Sequence, residues 1–237
     1  MRDGSFTLIA HRGSPLRAPE NTLSSFKLAE EAGATALETD IQLTADGVAV
    51  LCHDDLLQRY GHGDRTINSL KFAELQALDF GGWFAPSFRG EPILTLEALF
   101  RHFGNRIEYH LEIKDAHPDT PQTVLACLGR YGRTATITSF RIEQLRRLRA
   151  CSAQQYAGWL VKEVTPEIIR TAKELGIQQI CPKADAITPE ALELCEGLAL
   201  RAWGCPREET AARETVARLR QAPCVGITVD ELRWFRS

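Results

Sequence analysis

The sequence predicts an α/β chain closed as a (β/α)8 barrel, a TIM barrel with a small insertion between strand 2 and strand 3. Three observations carry that prediction. Short apolar runs rich in β-branched residues alternate with longer stretches of helical period, the pattern of repeated βα units. Eight such runs fit into 237 residues, a length suited to one barrel. Charged residues gather at the C-terminal ends of these runs, where barrel sites are built. A doubly wound open sheet shares the alternation, because sequence alone does not prove closure.

The expected strands are 6–11, 34–41, 107–114, 134–140, 155–160, 178–181, 198–203 and 225–229. Helices are expected between them at 22–32, 120–131, 142–150, 166–175, 189–196 and 208–221. Thr165-Pro166 and Thr188-Pro189 are helix starters, since Pro suits the first turn. Gly33 and Gly176 follow helix ends, as a left-handed cap requires. The rhythm breaks at about 44–106, too long for a simple crossover. Asp46-Gly47 marks a tight turn leading into a short run at 48–52. A polar, Gly-rich segment at 60–68 then precedes the patch Phe80-Gly81-Gly82-Trp83-Phe84 and a helix at 96–103. This insertion is expected at the top of the barrel, and residues 1–237 read as a single domain.

Composition narrows the function. Hydrophobic residues make up 44% and charged residues 25%, which is ordinary for a globular protein. A formal net charge of −3 argues against a nucleic-acid partner. No apolar run approaches the roughly 20 residues that span a bilayer, so no stable membrane association is expected. Met1-Arg2-Asp3-Gly4-Ser5-Phe6 runs directly into the first strand and leaves no room for a signal peptide. The seven cysteines are scattered, odd in number and without a C-x-x-C pair. That pattern fits free thiols in the cytoplasm. It does not specify an oligomeric state.

Three segments carry the chemistry. The first is Ile9-Ala10-His11-Arg12-Gly13, followed by Pro19-Glu20-Asn21-Thr22. The second is Leu37-Glu38-Thr39-Asp40, with Asp46-Gly47 and Cys52-His53-Asp54 downstream. The third is His110-Leu111-Glu112-Ile113-Lys114. Residues two apart on a strand share a face, so Glu38 pairs with Asp40 and Glu112 with Lys114. Neighbouring carboxylates repel unless a cation lies between them. A third from the adjacent strand makes an oxygen-rich site of the kind Mg²⁺ or Ca²⁺ prefers. Arg12 offers a planar fork for phosphate oxygens, and Gly13 lets the backbone approach a ligand closely.

The Asp46-Gly47 turn could carry His53 back over the second strand. His11 and His53 would then supply an acid and a base that work near neutral pH. His62, His102, His110 and His117 show no partner pattern and read as structural or surface groups. Cys52 and Trp83-Phe84 read as packing residues, whereas Trp203, ending a barrel strand, is a candidate substrate contact.

The chain resembles the glycerophosphodiester phosphodiesterases, particularly the compact cytoplasmic bacterial type. The resemblance runs through His11-Arg12-Gly13, Pro19-Glu20-Asn21-Thr22, Glu38-Thr39-Asp40 and Thr44-Ala45-Asp46-Gly47. It continues through His53-Asp54, Trp83-Phe84, Leu111-Glu112-Ile113-Lys114 and Thr138-Ser139-Phe140. It implies a (β/α)8 barrel with Glu38, Asp40 and Glu112 as ligands of a divalent metal, Mg²⁺ or Ca²⁺. It implies His11 and His53 as the acid–base pair, with Arg12 and Lys114 on the phosphate and Glu20 near the site. The last third departs from the family pattern. Ala202-Trp203-Gly204-Cys205-Pro206 stands where a Trp-Thr-Val-Asn-like run is usual, and the terminal Thr-Asp reads Thr228-Val229-Asp230.

The implied reaction is hydrolysis of a small glycerophosphodiester to glycerol 3-phosphate and an alcohol. Either water or the neighbouring glycerol hydroxyl would attack, with His11 as base and His53 as acid. A phospholipase D-like or lysophospholipid phosphodiesterase, and a non-catalytic phosphate-binding barrel, are the alternatives.

Overall fold

The computed structural model describes residues 6–236, so the run Met1 to Ser5 used above lies outside the described residues. The elements follow in order: β1 (Thr7–His11), α1 (Leu23–Glu31), β2 (Ala36–Leu43), β3 (Ala49–Leu51), α2 (Phe72–Gln76) and α3 (Leu96–Phe103). Then come β4 (Glu108–Ile113), α4 (Thr120–Tyr131), β5 (Ala135–Ser139), α5 (Ile142–Cys151), β6 (Ala157–Val161) and α6 (Pro166–Glu174). The last are β7 (Gln179–Pro182), α7 (Pro189–Leu194), β8 (Ala199–Leu200), α8 (Glu209–Arg220) and β9 (Gly226–Val229), with a short 3₁₀ turn at Leu232–Phe235.

All strands pair in parallel except β3, and the spatial order is β8-β7-β6-β5-β4-β2-β1-β9. The ring closes between its two ends. Val225 N donates to Leu200 O (2.7 Å), and Ala202 N donates to Gly226 O (2.8 Å). Closure excludes the open sheet and gives the eight-stranded barrel. The expected strand 198–203 forms a regular ladder only over Ala199–Leu200. Beyond it Arg201 N bonds Ile180 O and Trp203 N bonds Pro182 O on one side, while Ala202 bonds β9 on the other. The closing strand thus serves two neighbours through single bridges.

The helix starts match their sequence signals. Thr22, Thr95, Thr165 and Thr188 each accept a backbone N–H in the first turn of the helix that follows, which satisfies donors with no partner inside the helix. Leu37, Ile41, Leu111, Ile113 and Ile137 point outward and pack under α1, α3 and α4, where Phe26 meets Phe103 edge-on at 6.3 Å. On the same strands Glu38, Asp40, His110, Glu112, Thr136 and Thr138 are buried too. They fill the barrel interior, so the interior is polar and the apolar core is a shell around it.

The Asp46-Gly47 turn folds β3 back antiparallel on β2, with Leu43 opposite Ala49 and Ile41 opposite Leu51. This pairing extends β2 two residues past its expected end. The rest of the insertion has its own core of Val50, Cys52, Leu57, Tyr60, Ile67, Leu75, Phe80 and Ile93. Trp83 packs edge-on to Tyr60 at 5.8 Å and donates to Phe80 O, so it holds the insertion together and does not line the cavity. His62 Nε2 lies 2.8 Å from Asp79 O, and His110 is buried with its Nε2 3.0 Å from Glu108 Oε1. Both are structural, as expected.

Candidate active site

At the end of β1 the chain turns sharply. Arg12 has φ 56°, Gly13 φ 93° and Asn21 φ 59°, and left-handed residues other than Gly mark places held by their surroundings. Arg12 N donates to Glu38 O, and Asn21 N donates to Arg12 O. Ser25 Oγ, in the first turn of α1, donates to Arg12 O and accepts from Ser14 N. The expectation that Gly13 makes room for a ligand is corrected here. A Cβ at Gly13 would collide with Ser25 Oγ and stand 2.6 Å from Ser25 C and 2.8 Å from Phe26 N. Glycine is required by the close approach of α1, which fixes Arg12 in place.

Glu38 and Asp40 rise from β2 and Glu112 from β4, with Asp40 directly opposite Glu112 in the ladder. One oxygen from each lies within 4.8 Å of the other two. All three residues are buried. Burial and the nearby Asp40 charge push the Glu38 carboxyl up to about 7, and the same two causes raise Glu112. Burial would raise Asp40 as well, but Arg12 and Lys114 beside it hold its carboxyl well below the usual carboxylate range. Among the described residues, Glu38 Oε2 and Asp40 Oδ1 have no hydrogen-bond partner although buried. Three carboxylates brought this close, two with a buried oxygen that accepts no hydrogen bond, fit a hard divalent cation such as Mg²⁺ or Ca²⁺.

The cations stand around this triad. Arg12 Nε lies 3.0 Å from Asp40 Oδ2, and Lys114 Nζ lies 2.9 Å from Glu112 Oε1 and 3.5 Å from Asp40 Oδ1. Buried Glu20 accepts from Arg12 Nη1 (3.0 Å) and from Arg59 Nη2 (2.7 Å) on one oxygen. Glu20 is therefore a positioning partner of Arg12 and does not face the cavity. Asn21 Nδ2 donates to Asp40 Oδ2, and Asn21 Oδ1 accepts from Thr39 Oγ1.

Both candidate histidines rest on an aspartate. His11 Nδ1 is 2.6 Å from Asp230 Oδ1, and its Nε2 faces Glu38 Oε2 at 3.9 Å. Burial alone would lower the His11 pKa, but the bond to Asp230 and the charge of Glu38 outweigh it and the net shift is upward. Asp230 is lowered against its own burial by His11 and by Arg207, whose Nε lies 2.5 Å from Asp230 Oδ2. His53, two residues past the end of β3, reaches the mouth of the barrel as the Asp46-Gly47 turn suggested. Its Nδ1 lies 2.7 Å from Asp54 Oδ1, and Asp54 is held in turn by Arg59 Nε.

His11, Arg12, Glu38, His53, Glu112, Lys114 and Trp203 line one cavity of about 260 Å³ at the C-terminal mouth of the barrel. Asp40 lies behind them in contact with Arg12 and Lys114. Trp203 donates Nε1–H to Val161 O and stacks edge-on with Phe140 at 5.1 Å. Sequence reasoning gave no role to Asp230, Asp54, Arg59, Phe140, Arg207 or Arg201. Asp54 and Asp230 stood inside recognised motifs, and a partner carboxylate for each histidine was the signal to look for. Arg201 had a signal as well, a charge in the middle of an apolar strand run. Arg59 sits in a single 3₁₀ turn and Arg207 in a loop, too short and irregular for spacing to give a direction.

Known proteins share this fold and sequence pattern. The profile described as the Glycerophosphoryl diester phosphodiesterase family matches residues 11–233. A glycerophosphodiester phosphodiesterase of Caldanaerobacter subterraneus subsp. tengcongensis is 30% identical over 232 residues, 94% of this chain and 93% of that protein. A relative from Bacillus subtilis (strain 168) is 37% identical over 147 residues and is matched over 60% of its length. The fold is shared with an Oleispira antarctica phosphodiesterase solved with its product sn-glycerol-3-phosphate (TM-score 0.87, 24% identity, 96% of this chain and 94% of that one). It is shared also with a glycerophosphodiester phosphodiesterase of Agrobacterium tumefaciens (TM-score 0.83, 24% identity, 97% and 98% covered). The barrel and the match over nearly its whole length lead to one conclusion: the chain belongs to the glycerophosphoryl diester phosphodiesterase family of enzymes.

Proposed function

We propose that this chain is a metal-dependent phosphodiesterase that hydrolyses small glycerophosphodiesters to glycerol 3-phosphate and an alcohol by histidine acid–base catalysis. One observation carries the reading. Three carboxylate oxygens lie within 4.8 Å of one another, and two of those carboxylates share one cavity with two histidines and two cations. Mg²⁺ or Ca²⁺ held by Glu38, Asp40 and Glu112 would supply fixed positive charge for the phosphoryl oxygens and disfavour the imidazolium form of His11.

Arg12 and Lys114 take the remaining phosphoryl oxygens, Arg12 in the orientation set by Glu20 and by the turn at Gly13. Asp230 accepts Nδ1–H of His11, which leaves Nε2 free to take the proton of the attacking group, water or the neighbouring glycerol hydroxyl. Asp54 holds His53 the same way, and His53 gives a proton to the departing alkoxide as the bond from phosphorus to the alcohol oxygen breaks. Trp203 and Phe140 form part of the cavity wall, with Phe140 beside Lys114. We place the enzyme in the cytoplasm on its scattered, unpaired cysteines.

Release of glycerol 3-phosphate from glycerophosphocholine and glycerophosphoethanolamine, assayed with EDTA and with added Mg²⁺ or Ca²⁺, tests the proposal. Release that needs metal and disappears in Glu112→Gln and His11→Ala is expected. Undiminished turnover in His11→Ala would remove that residue from the chemistry, and turnover undisturbed by EDTA would remove the metal. A cyclic glycerol phosphate trapped by rapid quenching would identify the neighbouring hydroxyl as the attacking group in place of water.

A further inference from the structure

Arg201 is the largest fully buried side chain of the protein, only 1% exposed. It stands in the wall of the cavity that Glu38 and Glu112 also line. Its Nε and Nη1 are buried and have no hydrogen-bond partner among the described residues. The guanidinium interacts with the Cys181 thiol, which burial keeps protonated, and the carboxylates acting on it are Glu38 and Glu112. A buried guanidinium without a dedicated partner is costly. Nothing in the closing of the barrel requires it, because β8 pairs through its backbone. Two of its donors are sealed from the cavity, so a ligand bound there cannot reach them. Its electric field needs no contact.

We propose that Arg201 is an internal counter-ion to the metal-ligating carboxylates. Glu38, Asp40 and Glu112 already face Arg12 and Lys114, and Arg201 brings the fixed positive charges to three against three negative ones. The guanidinium opposes a divalent cation at the triad, so the site holds its metal more loosely and exchanges it more readily. It also spares the metal-free barrel the mutual repulsion of its carboxylates. This inference rests on the metal reading of the triad given above.

Calorimetric titration of metal-stripped protein with Mg²⁺ and Ca²⁺ tests it, with melting curves in EDTA alongside. Arg201→Lys, which keeps the charge, should bind both ions close to the parent affinity. Arg201→Gln should bind at least one of them about tenfold tighter or more, and should lose more melting temperature than the parent when EDTA strips the metal. Arg201→Met, similar in shape and free of polar atoms, carries the same comparison if the Gln variant does not fold. Metal affinity of the uncharged variants within twofold of the parent, or weaker, overturns the proposal. Weakened binding of inorganic phosphate at unchanged metal affinity overturns it too, by making Arg201 a ligand contact. Absence of binding in parent and variants alike would sink the metal reading itself.

Discussion

Asp230 holds His11 on one oxygen and Arg207 on the other, so it fixes both the tautomer and the direction of the imidazole. An asparagine there would keep the shape yet could offer an N–H to His11 Nδ1 and reverse the tautomer. Asp230→Asn should lower kcat by about 10²–10⁴-fold with metal affinity little changed. A kcat within threefold of the parent would show that Asp230 only packs. The same pair has a pH signature in the metal-free protein. Folding raises the His11 pKa, so its stabilisation is complete below about pH 6.5 and fades as pH rises through the folded value. Folding lowers the Asp230 pKa, so its stabilisation is complete above about pH 4 and fades as pH falls through the folded value. In EDTA the melting-temperature gap between parent and Asp230→Asn should be widest between those limits and narrow toward pH 8.5. A gap of constant size would mean that the pair is not ionic.

At the level of elements, two turns build the site and glycine serves them differently. Gly47 has φ 78° and empty space where a Cβ would go, whereas Gly13 has φ 93° and the backbone of α1 in that space. Gly47→Ala should therefore cost only the left-handed conformation, roughly 1–2 kcal/mol. Gly13→Ala adds a collision that α1 cannot relieve without leaving its seat, and should cost roughly 3 kcal/mol or more. Chemical denaturation compares them, and equal losses would show that α1 does not pack tightly on Gly13. The β3 hairpin is the second device. It delivers His53 from outside the barrel, and the Tyr60–Trp83–Arg59 stack beneath it, with Arg59 4.7 Å from the Trp83 ring, ties the insertion to Asp54 and Glu20.

For the molecule as a whole, no helix among the described residues is long and apolar enough to cross a membrane. The cavity, at about 260 Å³, is on the scale of a headgroup-sized diester. Glycerophosphocholine in solution should therefore be cleaved at least tenfold more efficiently, by kcat/KM, than lysophosphatidylcholine in vesicles. The reverse preference would favour a lysophospholipid phosphodiesterase. The formal net charge is −3, and at the mouth Arg12, Lys114, Arg59 and Arg207 are each paired with a carboxylate, so charge there is balanced locally.

Period, capping and spacing act along a few residues, so the alternation of strand and helix, the helix starts and the candidate site residues were legible in the chain. Glu38 and Asp40, two apart on one strand, had to share a face whatever the fold. Only the tertiary structure decided the closure between β8 and β9, the true reason for Gly13 and the aspartate beneath His11. Asp230 lies 219 positions from His11, and Arg201 comes to share a cavity with Glu38 and Glu112 only in a closed ring. Such pairings follow from how strands wrap around a common interior, and no local pattern along the chain encodes that.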